Sequence, residues 1–237
     1  MASSRRLNTW ECKETNLIYG GADMDTENKG YYEDIEVDVW NLTPENSTLQ
    51  EVFYIKDLKQ RRLTLNEDID QSTINEIVRH IMQYNRDDIN LRAEERKPIV
   101  LYVCSNGGEV DSGFELIDVI KNSITPVYTV NLGYQYSMGF LIGLAGHKRF
   151  ATKNAKYLIH DGSSFIYGSS TKVEDQVEFN KSVNYRVKEY ILANSTMKEE
   201  EYDANLRREW YMFADEAKRL GLTDYIIGED CTLNDVL

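Results

Sequence analysis

The sequence contains little cysteine, histidine or proline, at three residues each in 237. The cysteines, Cys12, Cys104 and Cys231, are odd in number and widely spaced, which fits neither a disulfide framework nor a paired-cysteine zinc site. We therefore expect a reducing compartment, the cytoplasm. The histidines lack the close spacing of an imidazole metal centre, so we expect no metal and no cofactor.

Positive charge and long apolar runs are also scarce. The chain has 27 Lys and Arg against 40 Asp and Glu, a formal net charge of −13. Nucleic acids and anionic membranes bind concentrated positive faces, and a bilayer span needs about 20 apolar residues, whereas the longest apolar run here is 139–146. We expect no nucleic-acid partner and no membrane contact.

The overall composition and its distribution along the chain indicate one main domain with an N-terminal extension. A hydrophobic content of 41% and a charged content of 28% are typical of a globular protein. Residues 1–55 are acidic and interrupted by glycines, and we interpret them as an N-terminal extension. Within it, the alternation in 35–40 fits a strand and an irregular segment equally well. Residues 56–237 form the predicted main domain.

From residue 62 the pattern predicts an α/β fold built from repeated βαβ units. Short apolar strand candidates alternate with stretches of helical period, and Asp70 or Ser72 can cap the first of these helices. The predicted strands are 63–65, 99–103, 127–130, 148–151, 157–160 and 225–227. Predicted helices include one starting near Ser137 and a long one at about 171–193, roughly 35 Å at 1.5 Å per residue, which is long enough to protrude.

Three features could carry chemistry. Ser137 lies after a strand at the start of an apolar helix, where free N–H groups favour a developing anion. His160 ends a strand, and Gly107–Gly108 follow another and would let a ligand approach the backbone. Each of these features taken singly has an equally good structural explanation. The serine could cap a helix, the histidine could simply end a strand, and the glycines could form a tight turn.

Taken together and in this order, these features resemble the proteolytic subunit of the Clp protease family. The resemblance extends from Arg62 to Ile227, about 70% of the chain. It implies a crotonase-like fold in which Ser137 is the nucleophile and His160 the general base. It also implies an oxyanion hole formed by the backbone N–H groups of Gly108 and Met138.

The third triad member differs from the family pattern, because Glu209 stands where the family has aspartate. A glutamate can still accept the imidazole proton, but its extra methylene requires the backbone to stand farther away. Asp161 neighbours His160 in sequence and points to the other side of the strand, so we reject it as the orienting acid. Asp203 and Asp224 are weaker alternatives.

The resemblance further implies an extended strand after His160 that pairs with substrate backbone, followed by a long handle helix at about 171–193. The predicted substrate-binding residues are Gly107, Glu109, Val110, Asp161, Gly162 and Ser163.

The implied activity is that of an ATP-dependent serine endopeptidase in a chambered homo-oligomer. The resemblance implies a heptameric ring, single or stacked as a tetradecamer, that receives unfolded polypeptides from an AAA+ ATPase. Arg207–Arg208 replace the acidic–basic pair that helps such rings stack, and the chain has no phosphate-binding GxxxxGK[ST] motif of its own. The extension 1–55 has no counterpart and is interpreted as a propeptide or a gate.

Three alternatives remain open at the level of sequence. One is a ring subunit whose catalysis is impaired because Glu209 misorients His160. Another is a phage head-maturation protease, and the last is an acyl-CoA enzyme of the wider crotonase superfamily.

Overall fold

The structure is a computed structural model that describes residues 48–163 and 165–237. The predicted strand at 35–40 and most of the acidic extension lie outside the described residues. Residues 50–237 form one compact unit. The extension boundary predicted at about residue 55 falls inside a helix, Leu49–Lys59.

Helices and strands alternate along the described chain. In chain order they are α1 Leu49–Lys59, β1 Arg62–Leu65, α2 Gln71–Asp87, β2 Ile99–Val103, α3 Val110–Lys121, β3 Val127–Asn131, β4 Tyr134–Tyr136, α4 Met138–Leu144, β5 Lys148–Thr152, β6 Lys156–Ile159, α5 Ser170–Ala193, α6 Glu199–Asn205, β7 Trp210–Phe213, α7 Ala214–Arg219 and β8 Tyr225–Ile227, with short 3-10 helices at Ala93–Glu95 and Leu233–Val236.

The strands form two sheets. The larger sheet has the order β1-β2-β3-β5-β8 and is parallel throughout. The smaller sheet has the order β4-β6-β7, with β4 parallel and β7 antiparallel to β6. Parallel neighbours need crossover connections, which α2 and α3 supply on one side of the larger sheet's first strands. The predicted α/β fold with repeated βαβ units is confirmed.

The core is built from the apolar stripes that the sequence predicted. On α2, Ile74, Ile77 and Ile81 are buried, and they belong to the same cluster as β2 and α3. Helix α2 begins at a capping box, in which the Asp70 carboxylate accepts a hydrogen bond from the Thr73 N–H at 2.9 Å. The acidic residues before α2 thus serve a turn and a cap. Among the described residues no cluster of His, Cys, Asp or Glu has the arrangement of a metal site.

Helix α5 corresponds to the predicted handle helix and begins one residue earlier than expected. It has 24 residues, about 36 Å, and only Ile191 among them is buried. None of the helices in the described ranges is both long and apolar enough to cross a membrane.

The smaller sheet was only partly predicted. Strand β6 was expected, whereas β4 and β7 were not. Strand β7 alternates exposed and buried residues, with Met212 turned into the core. This sheet carries the candidate active site, because its strands place Ser137, His160 and Glu209 at one edge.

Candidate active site

Ser137 occupies a strained turn between β4 and α4. Its φ of 52° lies in the left-handed region, which an L-residue other than glycine seldom adopts. The Ser137 N–H donates to the Leu158 carbonyl at 3.0 Å, and its own carbonyl accepts from the Phe140 N–H at 3.0 Å. The side chain makes no capping hydrogen bond, although the residue occupies the N-cap position of α4. The hydroxyl is therefore presented by the turn and is not used to start the helix.

The Gly107–Gly108 loop lies directly against this turn. A Cβ atom on Gly107, whose φ is 102°, would stand 2.8 Å from the Ser137 Cβ and 3.0 Å from the Met138 nitrogen. A Cβ atom on Gly108 would overlap the carbonyl oxygen of Ile69. Ile69 pairs with the loop on both sides, since its N–H donates to the Gly107 carbonyl and its carbonyl accepts from Glu109. Glycine is required at both positions by close backbone approach.

The backbone N–H groups of Met138 and Gly108 are those predicted to face an oxyanion. Met138 is the first residue of α4, so its N–H has no partner four residues back within the helix. In the described part of the chain, the Gly108 N–H donates to no other backbone group. Both groups therefore keep donor capacity, and the Met138 N–H directly follows Ser137 in the chain.

His160 and Glu209 meet across the antiparallel pair β6 and β7. Ile159 pairs with Trp210, so His160 and Glu209 are the next residues beyond the ladder. His160 Nδ1 lies 2.9 Å from Glu209 Oε1, and the side chains are 25% and 56% exposed. When the Nδ1 proton is donated to the carboxylate, Nε2 is left as the proton acceptor. Glu209 is thus the carboxylate in contact with the imidazole that the sequence analysis singled out.

Ser137 and His160 line the same cavity, with a volume of about 110 Å³. Its wall is mainly apolar and comes from α3, α4, β6, α5 and α6. The apolar lining residues are Val110, Met138, Phe140, Leu141, Leu158, Ile159, Val183, Val187, Ile191, Tyr202 and Leu206. The cavity therefore has the size and polarity to accept an apolar side chain beside the hydroxyl and the imidazole.

Three of the remaining predicted binding residues line this cavity, and two do not. Val110, Asp161 and Gly162 line it. Glu109 is exposed just before α3, and its carboxylate accepts a hydrogen bond from the Ser112 hydroxyl at 2.8 Å. Ser163 is exposed on the segment that follows Gly162.

The two alternative acids are engaged elsewhere. Asp203 accepts a hydrogen bond from Lys188 Nζ at 2.6 Å, and these charges join α6 to α5. Asp224 forms an ion pair with Arg149 at 2.5 Å. Of the acids considered from the sequence, Glu209 is the one that contacts His160.

Tyr211 is a residue near the site that the sequence analysis missed. It lies two residues after Glu209 on β7, and its ring packs edge-on against Tyr136, with 5.7 Å between ring centroids and an interplanar angle of 86°. Tyr136 immediately precedes Ser137. The signal that could have found Tyr211 is the run Trp210–Phe213, which is rich in residues that favour strands.

The comparisons with known proteins agree with this geometry. A sequence model of the family described as Clp protease matches residues 46–230. The ATP-dependent Clp protease proteolytic subunit 2 of Treponema pallidum (strain Nichols) is 30% identical over 180 residues, which cover 75% of this chain and 87% of that protein. The parallel sheet with its crossover helices is the crotonase-like fold of this family. On these matches, the chain belongs to the Clp protease family.

Proposed function

We propose that this chain is a serine endopeptidase subunit with the triad Ser137, His160 and Glu209. The observation that carries the proposal is the 2.9 Å contact between His160 Nδ1 and Glu209 Oε1, next to a cavity that His160 shares with Ser137. A serine hydroxyl is a weak nucleophile until a base takes its proton, and an oriented imidazole does this near neutral pH.

The proposed reaction is acyl transfer. The Ser137 Oγ attacks the scissile carbonyl carbon while its proton passes to His160 Nε2, and Glu209 stabilises the imidazolium that forms. The carbonyl oxygen becomes an oxyanion and accepts hydrogen bonds from the Gly108 and Met138 N–H groups. His160 then gives the proton to the leaving amine as the C–N bond breaks. Water, deprotonated by the same imidazole, hydrolyses the acyl-enzyme and restores Ser137.

The proposed substrate is an extended polypeptide with an apolar residue before the scissile bond. The apolar lining of the 110 Å³ cavity supports this preference, since it would remove an apolar side chain from water without burying unpaired polar groups. Gly162 and Ser163, which follow His160 as exposed non-helical backbone, would pair with the substrate main chain. Such pairing recognises the main chain of the substrate and therefore tolerates many substrate sequences.

The proposed setting is a chambered oligomer in the cytoplasm. The Treponema relative is named as a subunit of an ATP-dependent protease, and we propose the same dependence here, through a separate AAA+ ATPase that unfolds the substrate. We propose self-assembly into a heptameric ring, single or stacked as a tetradecamer. The long and largely exposed α5 supports a role in subunit contact, because its surface would be covered in such an assembly.

A fluorophosphonate probe tests the catalytic part of this proposal. We expect intact mass to show one adduct per chain and peptide mapping to place it on Ser137. Ser137→Ala must abolish both the adduct and peptide cleavage while leaving assembly intact, whereas Ser163→Ala, which changes an exposed serine near the same cavity, must retain labelling. Cleavage that survives in pure Ser137→Ala protein would refute the assignment. A verified oligomer that takes no label would support the impaired ring subunit instead.

A further inference from the structure

The glutamate at the acid position creates a positioning problem that an aspartate would not have. Glutamate has one more rotatable bond than aspartate, so more rotamer freedom must be lost to fix its carboxylate. The Glu209 side chain is 56% exposed, so the surrounding core does little to confine it. His160 Nδ1 engages Oε1, and a carboxylate has lone pairs for further donors. A second donor on Glu209 would hold the carboxylate in the orientation that His160 needs.

Tyr211 is placed to be that donor. Glu209 directly precedes β7 and Tyr211 is the second residue of that strand, and residues two apart in an extended chain point to the same side. In the β6–β7 ladder Tyr211 pairs with Leu158, and in the β4–β6 ladder Leu158 pairs with Tyr136. Tyr211 and Tyr136 therefore lie in one row across the three strands, which explains their ring contact.

The row of aromatic rings restricts where the Tyr211 hydroxyl can go. Tyr211 packs edge-on against Tyr136, and Tyr136 in turn packs against Tyr134 with 5.0 Å between ring centroids. Contacts of this kind stabilise specific ring orientations. A phenol has only two side-chain torsions, so fixing the ring also fixes the position of its hydroxyl oxygen.

The electrostatics agree with a donating phenol. Partial desolvation, the charge of Glu209 and hydrogen bonding to Glu209 all raise the pKa of Tyr211 above its ordinary value near 10. The phenol therefore keeps its proton at neutral pH and can only donate to the carboxylate.

We infer that Tyr211 is a positioning residue for the proposed triad. Its hydroxyl donates to Glu209 and holds the carboxylate against His160, and its ring connects β7 to the strand that leads into Ser137. This inference rests on the proposed function, but the arrangement of Tyr211, Glu209 and His160 can be measured without any turnover.

The test compares Tyr211→Phe with Tyr134→Phe. Both variants lose a hydroxyl from the same row of rings, but the Tyr134 ring is two places away from Glu209. We expect Tyr211→Phe to lower kcat roughly three- to tenfold with KM unchanged, as for the loss of one hydrogen bond. Tyr134→Phe should match the wild type. In a Glu209→Gln background, Tyr211→Phe should cause no further loss, because the group that it positions is gone.

An NMR measurement on His160 separates this inference from the proposed function. In Ser137→Ala protein, the His160 Nδ1 proton that faces Glu209 Oε1 should exchange faster with solvent and resonate at higher field when Tyr211→Phe is added, because a less fixed carboxylate accepts a weaker hydrogen bond. An unchanged resonance and exchange rate of this proton, or an equal loss of kcat in the Glu209→Gln background, overturns the inference. If the wild-type protein neither labels nor cleaves, the proposed function fails, and the NMR measurement alone still decides the role of Tyr211. Tyr211→Leu, which also lacks the hydroxyl, must give the same change.

Discussion

Whether Glu209→Asp raises or lowers the peptidase activity distinguishes an active subunit from an impaired one. If glutamate misorients His160, restoring the aspartate of the family pattern should raise activity. In the structure, however, Glu209 Oε1 already lies 2.9 Å from His160 Nδ1. Removing one methylene withdraws the carboxylate by about 1.5 Å, to roughly 4.4 Å, which is beyond hydrogen-bond range. We therefore predict that Glu209→Asp lowers activity.

The expected loss follows from this distance. For a partly exposed pair, with an effective dielectric constant of about 40, moving unit charges from 2.9 Å to roughly 4.4 Å weakens their attraction by about 1 kcal/mol. Loss of the hydrogen bond adds up to about 1 kcal/mol at such exposure. Together the imidazolium of the transition state loses about 1–2 kcal/mol, which corresponds to a five- to thirtyfold fall in kcat/KM.

The assay is hydrolysis of a fluorogenic peptide with an apolar residue before the scissile bond, at pH 7 and at equal oligomer concentration. Glu94→Asp provides the matched control, because Glu94 is an exposed glutamate paired with Arg92 and removed from the cavity residues. It should leave kcat/KM unchanged. A Glu209→Asp variant that equals or exceeds the wild type would refute the reasoning and show that the observed contact is not the one used in catalysis.

Three further predictions test the turn, an ion pair and a partly desolvated histidine. Gly107→Ala should slow fluorophosphonate labelling at least tenfold by pushing on Ser137, while Gly133→Ala, whose Cβ would meet only a 3.4 Å contact, should label normally; equal rates would contradict the packing. Asp88 is 1% exposed, and hydrogen bonding from Arg61 holds its pKa below the usual value, so Asp88→Asn should lower the free energy of unfolding by about 3 kcal/mol at pH 7. The lowered pKa gives its full stabilisation above the unfolded value of about 3.9 and loses it as pH falls from there through the folded value, so urea titrations should show this difference shrinking below about pH 4, and a constant difference would contradict it. Burial lowers the pKa of His147, whose Nδ1 accepts the Val127 N–H, so below about pH 6.5 the unfolded chain binds more protons and stability falls. Between pH 7 and pH 5, the melting temperature of His147→Gln should therefore fall less than that of the wild type. Equal falls in melting temperature would count against this assignment.

The sequence predicted the larger sheet better than the smaller one. The strand at Ile99–Val103 was predicted with its observed bounds, because a strand covered on both faces is a continuous apolar run. Helix α5 was predicted to within one residue. Strands β4 and β7 were missed, since they have three and four residues with half-exposed tyrosines. Such strands are stabilised by pairing with β6, and that pairing is a tertiary contact with no local pattern.

The same limit applies to the site. The turn at Ser137 and the glycines at 107–108 could be located because each follows a predicted strand. The contact between His160 and Glu209 joins residues 49 positions apart through a strand that was not predicted, so only the family resemblance pointed to it. Tyr211 lay on that same strand and was missed for the same reason.

The smaller sheet also explains how a glutamate can occupy an aspartate position. His160 and Glu209 meet just beyond the last pair of the β6–β7 ladder, where the distance between backbones is no longer set by ladder hydrogen bonds. At such a position glutamate can reach an imidazole that lies farther from its backbone than aspartate could. Because glutamate has one more rotatable bond, its carboxylate then needs a second contact to hold its orientation. Tyr211 stands on the side of β7 where that contact would act. A substitution of the acid and the choice of residue two positions later are therefore expected to be coupled, and the Glu209→Asp, Tyr211→Phe double variant should lose less than the sum of the two single losses.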